Sequence, residues 1–189
     1  MRYEGRPGLS PAIAALIARG DIAKDDVILD VGCGKGTDCL LLARWGFKRV
    51  VGVDPDAGAI RIARSRATRL RLGRRVRFIA GDVEDLPPDL AHKGVDVVLH
   101  TLVGNNLESE HHAHFAAIAR ALRPKGMLVM SIRTFRHEEN AKPGAVPPVP
   151  GMRRYFELTP SFSSHLAEHG DYEPPFAPVA IWIGKPRRR

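Results

Sequence analysis

Cysteine is scarce. The chain has two, Cys33 and Cys39, too few for a disulfide framework or a four-thiolate metal site, and both suit packing beside a glycine-rich stretch. No apolar run approaches 18 residues, which predicts no membrane span. Residues 1–8 lack the apolar core of a signal peptide. A reducing, cytoplasmic setting is expected. Acidic residues are missing from a whole stretch: residues 57–81 hold eight arginines and no acid, in a chain of net charge +8. Such a stretch can mark a nucleic-acid footprint. Here Ile60, Ala63, Ala67 and Leu70 align as the core stripe of a helix. Arg61, Arg66 and Arg69 point away from it, and Arg64 and Arg71 flank it. No aromatic lies between Arg61 and Arg77 to stack on bases. Nucleic acid therefore ranks behind a small molecule as partner.

What the chain does have is the run Val27-Ile-Leu-Asp-Val-Gly-Cys-Gly-Lys-Gly-Thr-Asp38. An apolar strand enters a turn with glycine at 32, 34 and 36, and a leucine-rich helix follows. Glycine admits positive φ and close approach of backbone to a ligand. The N–H groups of the helix behind suit a nucleotide-like ligand. The dinucleotide fingerprint needs glycine at the first, third and sixth positions, and here the sixth is Thr37. The next strand, 49–54, ends on Asp54, 22 residues beyond Gly32. In α/β nucleotide folds an acid at this distance accepts hydrogen bonds from ribose hydroxyls.

The rest of the chain alternates strand and helix. Residues 10–20 form a helix, with Ser10 as its cap, in an N-terminal helical segment spanning 1–24. Strands are expected at 76–79, 95–99, 127–132 and 179–183. Helices are expected at 38–45, at 107–122 with a stripe of Phe115, Ile118, Ala119 and Leu122, and from Thr159 to about Glu168. Residues 87–94 read as a loop, and 133–151, rich in proline, as a lid. Residues 171–176 are too short and proline-rich for a full sixth strand, and 185–189 form a basic tail whose last residues, 187–189, are expected to be disordered. The pattern predicts one α/β domain over residues 1–189, a three-layer Rossmann-like sandwich. Its sheet is mostly parallel, with six or seven strands and helices on both faces.

Asp30-x-Gly32-x-Gly34-x-Gly36 resembles motif I of the class I S-adenosylmethionine-dependent methyltransferases, and Leu122-Arg-Pro-Lys-Gly126 resembles that family's turn before strand five. The likeness covers residues 25–132 well. It implies S-adenosylmethionine as cofactor, held by Asp30, Gly32, Cys33, Gly34, Gly36, Asp54, Pro55 and His100. It further implies that Asp82 accepts the adenine amino hydrogen and that the Val83 N–H meets a ring nitrogen. His100 is also the candidate base or orienter, with Asn105 and Asn106 as acceptor-orienting residues. Arg133, His137 and Tyr155 are candidate acceptor contacts, and Arg133, His137 and Arg153 suit an anionic acceptor. His111, His112 and His114 read as a surface run, and no metal is expected. The Asn-Pro-Pro-Tyr motif of nucleic-acid amino methyltransferases is absent after strand four. Residues 151–155 are weakly similar to the tellurite-resistance methyltransferases, and Gly104-Asn105 to glycine-type N-methyltransferases. The expected function is methyl transfer to an O, N or S atom of a small molecule. The alternatives are an RNA or protein methyltransferase, or a non-catalytic S-adenosylmethionine-binding protein.

Overall fold

A computed structural model describes residues 9, 11–101, 112–133, 152–163 and 179–187. The expected cap Ser10, the lid beyond Arg133, Asn105, Asn106, His111, His137 and the stretch 171–176 lie outside the described residues. The chain divides into two compact units, residues 1–81 and 82–189.

The first unit holds α1 (Pro11–Ala18), β1 (Val27–Val31), α2 (Thr37–Arg44), β2 (Arg49–Asp54), α3 (Ala57–Arg69) and β3 (Val76–Ala80). The three strands run parallel in the order β3-β2-β1. Every residue of β1 is buried, as its unbroken apolar run suits a strand covered on both faces. Ile13 and Leu16 carry the buried face of α1. On α3, Asp56 caps the helix by accepting from the N–H groups of Gly58 and Ala59 at 2.8 and 3.1 Å. Ile60, Ala63 and Ala67 are buried as expected, but Leu70 is 41% exposed. The helix stops at Arg69, so Leu70 leaves the stripe before its next turn.

The second unit holds a 3-10 turn (Val83–Asp85), α4 (Pro88–Ala91), β4 (Val95–Thr101), α5 (His112–Ala121), β5 (Leu122–Arg133), a 3-10 turn (Met152–Arg154), β6 (Phe156–Ser163) and β7 (Val179–Pro186). Its strand order is β4-β5-β7-β6. β4 and β5 are parallel and β7 is antiparallel to both its neighbours; parallel strands alternating with helices in both units, with an antiparallel edge in the second, are the mostly parallel α/β class expected.

Four local expectations are corrected. Residues 87–94 contain a one-turn helix, α4, opened by Pro88. Strand β5 starts at Leu122 rather than Met127, and the extra residues fall in a register shift against β4 between Val95 and Val97. Residues 159–163 are strand, not helix. Thr159-Pro160 imitates a helix start, but β6 is an edge strand, where proline is tolerated, and its register on β7 shifts between Pro160 and Phe162. This segment supplies the antiparallel edge. The basic tail is also tied down further than expected. Lys185 and Pro186 pair with β6, and the Arg187 N–H donates to the Tyr155 carbonyl at 2.9 Å. Among the described residues, no helix is long and apolar enough to cross a membrane.

Candidate functional site

In the first unit the turn after β1 is built from glycines in the left-handed region: φ is 75° at Gly32, 53° at Gly34 and 72° at Gly36. The N–H groups of Gly32 and Cys33 donate to the Val53 carbonyl at 2.9 and 3.1 Å, which pins the start of the turn to β2. The Asp54 carboxylate, for which a ribose contact is expected, holds the turn itself. Its Oδ2 accepts from the Gly34 N–H at 2.7 Å, and its Oδ1 from the Asp56 N–H at 2.9 Å. An ionised carboxylate has about four acceptor sites, so capacity for two ribose hydroxyls remains. Pro55 is exposed between Asp54 and the Asp56 cap. Arg66 was expected to point away from the core stripe, into solvent; instead its Nη1 donates to the Lys35 carbonyl at 2.9 Å and contacts Thr37 Oγ1 at 3.3 Å. It braces the turn from α3.

Beneath the turn lies a buried acid. Asp30 is 4% exposed, and the Cys39 thiol donates to its Oδ2 at 3.2 Å. Burial, reinforced by the nearby Asp38 carboxylate, pushes Asp30 up to about 8, and burial pushes Asp38 up to about 6. The Cys39 thiol is itself pushed up, chiefly by burial. Nothing in the spacing of Asp38 and Cys39 along the sequence distinguishes them from ordinary helix positions. A cation placed beside these carboxyls would favour their ionised forms.

Because the folded state holds these protons more tightly than the unfolded one, the stability that these two groups contribute is fully present at low pH. It is lost as pH rises from the unfolded value near 4 through about 8. The unliganded chain should therefore lose roughly 2 kcal/mol between pH 6 and 8 through Asp30 alone. Denaturant titrations of wild type and Asp30→Asn at both pH values read this directly. Equal slopes in the two proteins would exclude a buried ionisation at Asp30.

In the second unit, Asp82 is exposed and extended, at the head of the 3-10 turn, and Val83 is buried beside it. On β4, His100 is 1% exposed. Its Nε2 lies 2.9 Å from Nε2 of His114, with the two rings at 88°. The Nδ1 of His114 lies 3.7 Å from Glu84 Oε1, an ion-pair distance rather than a hydrogen bond. Phe115 lies against both rings. His114 is thus no surface residue: its side chain is 15% exposed. Its spacing to the buried Ile118 and Ala121 is the helical i, i+4, i+7 pattern, a signal available in the sequence. His112 stands edge-on to Tyr155, ring centres 6.2 Å apart. Arg153 is exposed. Arg133 closes β5 opposite Val179.

Comparison with known proteins places this geometry. Residues 22–147 match the family model described as methyltransferase domain. The chain is 29% identical over 160 residues to trans-aconitate 2-methyltransferase of Enterobacter sp. (strain 638), covering 77% of this chain and 59% of that protein. It is 31% identical over 90 residues to protein arginine N-methyltransferase 1 of Saccharomyces cerevisiae, covering 48% of this chain and 25% of that one. It therefore spans less than two thirds of the length of either relative. Among solved structures it resembles geranyl diphosphate C-methyltransferase of Streptomyces coelicolor A3(2), in complex with Mg2+, geranyl-S-thiolodiphosphate and S-adenosyl-L-homocysteine. That match has a TM-score of 0.55 and 25% identity over 66% of this chain and 44% of that one. A glycine turn gripped by an acid at the end of the second strand, a parallel α/β sheet and a family model over most of the sheet agree: this chain belongs to the class I S-adenosylmethionine-dependent methyltransferases.

Proposed function

We propose that the acceptor is a small molecule and that His100 removes its proton. The observation that carries the choice of acceptor is the use made of the basic stretch. Arg64 donates to the Phe78 carbonyl at 2.8 Å, Arg66 to the Lys35 carbonyl at 2.9 Å and Arg75 to the Ala43 carbonyl at 3.2 Å. Guanidinium groups committed to the chain's own carbonyls are poorly placed to collect phosphates. The trans-aconitate and geranyl diphosphate enzymes are named for small acceptors, which agrees. The arginine methyltransferase is named for a protein acceptor, and that is the second reading.

The residues present suit the cofactor. The turn offers backbone at Gly32, Cys33, Gly34 and Gly36, Asp54 and Pro55 flank it, and the Asp30 carboxyl waits for a positive charge. In the second unit Asp82 and Val83 carry the adenine contacts that the family resemblance implies. Bound there, S-adenosylmethionine supplies an activated methyl group and a neutral thioether leaving group. The chain's own part is orientation, exclusion of water and reception of a proton. Tyr155, edge-on to His112, is proposed as an acceptor contact, as are Arg133 and His137, with Asn105 and Asn106 orienting the acceptor.

Asp54→Ala should weaken binding of S-adenosylhomocysteine by about 1.5–3 kcal/mol, roughly 10- to 150-fold, the scale for hydrogen bonds to a charged group. Calorimetry on the folded variant measures it, and unchanged affinity removes Asp54 from the site. The acceptor class is tested by supplying methyl-labelled cofactor to separate small-metabolite, protein and RNA fractions. Label in the small-metabolite fraction is expected. Label confined to protein or to RNA overturns the small-molecule reading.

A further inference from the structure

In the second unit, Nδ1 of His112 is buried and has no hydrogen-bond partner in the protein. The ring as a whole is half-buried, not part of a surface run. An unpaired buried imidazole nitrogen is costly in either tautomer, because an N–H lacks its acceptor or a lone pair lacks its donor. Such an atom in a folded protein calls for a reason, and a ligand contact is one.

The position of His112 fits a ligand contact. It is the first residue of α5. The other end of that helix adjoins Leu122, which pairs with Val95 at the start of β4. His112 therefore lies toward the carboxyl end of β4, the side on which open α/β sheets take their ligands. Tyr155 stands edge-on to it, at 64° between the rings. The Tyr155 N–H donates to the Met152 carbonyl at 2.9 Å, and Met152 is fully buried, so the turn that carries Tyr155 is anchored. The two residues between them, Arg153 and Arg154, are exposed and form no hydrogen bond or ion pair among the described residues. The acid that follows in the chain, Glu157, faces Lys185 across β6 and β7, where opposite charges on neighbouring strands attract. What this turn offers a ligand beside His112 is therefore positive charge.

We propose that His112 Nδ1 and the turn 152–155 bind a carboxylate of the methyl acceptor, with His112 donating an N–H and Arg153 or Arg154 a guanidinium. It rests on the small-molecule reading. A carboxylate only accepts hydrogen bonds, which matches a set of donors with no acid among them. Binding it would fix the Nδ1–H tautomer of His112 and hold one end of the acceptor while another atom meets the methyl group.

A metabolite extract split by anion exchange at pH 7 tests this, each fraction being offered to the full chain with methyl-labelled S-adenosylmethionine. Transfer is expected into the retained fraction. It should survive phosphatase treatment of that fraction and be lost once its carboxylates are coupled to an amine. His112→Phe keeps a ring against Tyr155 and removes the nitrogen. At low concentrations of the retained fraction it should slow transfer roughly tenfold or more, the scale for a hydrogen bond to a charged group. The loss should shrink at high concentrations, with S-adenosylhomocysteine affinity unchanged. His112→Asn, whose amide places a donor near the Nδ1 position, should recover most of the rate. Transfer confined to the unretained fraction, abolished by phosphatase or indifferent to amine coupling overturns the carboxylate subsite and leaves the small-molecule reading standing. Transfer into neither fraction overturns that reading and the subsite with it. A His112→Phe rate within twofold of wild type at low concentration also overturns the subsite. So does a fall in its melting temperature of more than about 5 °C that His112→Asn does not share, because the nitrogen then serves the fold.

Discussion

Replacing His100 by glutamine should slow methyl transfer by roughly 10²- to 10⁴-fold, the range that a positioned general base contributes, or about 3–5 kcal/mol of barrier. Glutamine keeps a polar group opposite His114 Nε2 and roughly the volume of the imidazole, but its amide cannot take up a proton at neutral pH. The loss should fall on turnover. Binding of S-adenosylhomocysteine should weaken far less than turnover, and the melting temperature should change little. Single-turnover transfer of labelled methyl, compared at saturating acceptor, measures the step itself. If the variant retains a third of the wild-type rate, His100 only orients, and catalysis comes from proximity alone.

The second large effect is on stability. Gly36 closes the turn at φ 72° and sits at the head of α2. A Cβ there would lie 2.5 Å from Cζ and 2.6 Å from Cε1 of Phe78, and 3.0 Å from Cβ of Ala63. Phe78 has little room to retreat: it is buried on β3, and its carbonyl is held by Arg64. Gly36→Ala should cost about 1–2 kcal/mol for the left-handed backbone and about 1–3 kcal/mol for overpacking, roughly 2–5 kcal/mol together. Gly34 is the control. Its φ is also positive, but a Cβ there meets nothing within 4 Å, so Gly34→Ala should show the backbone cost alone, about 1–2 kcal/mol. Denaturant melts of the two variants separate the terms. Equal losses would mean that the Phe78 ring yields and the packing explanation is wrong.

These two residues also mark how far the chain could be read in one dimension. The glycine turn was legible because it is local: positive φ at three alternate positions and an apolar strand running in are written in consecutive residues. Asp54 was legible because its distance from Gly32 is a property of one βαβ unit. The family resemblance, the cofactor and the mostly parallel sheet followed from the same short-range signals. The misreadings have the opposite character. Thr159-Pro160 carries a helix-start signal, and only pairing with β7 makes it strand. Arg66 reads as solvent-facing until α3 is laid beside the turn it braces.

The sequence by itself therefore determined the α/β alternation, the turn built for a nucleotide-like ligand and the acid that grips it, since each depends on neighbours along the chain. Tertiary structure decided the antiparallel edge, the raised affinity of Asp30 for its proton and the meeting of Glu84, His100 and His114. Those three come from a turn, a strand and a helix, separated by 16 and 14 positions along the chain. Hydrogen bonding and desolvation depend on distance in space, and no spacing along the sequence encodes that distance until the elements have packed.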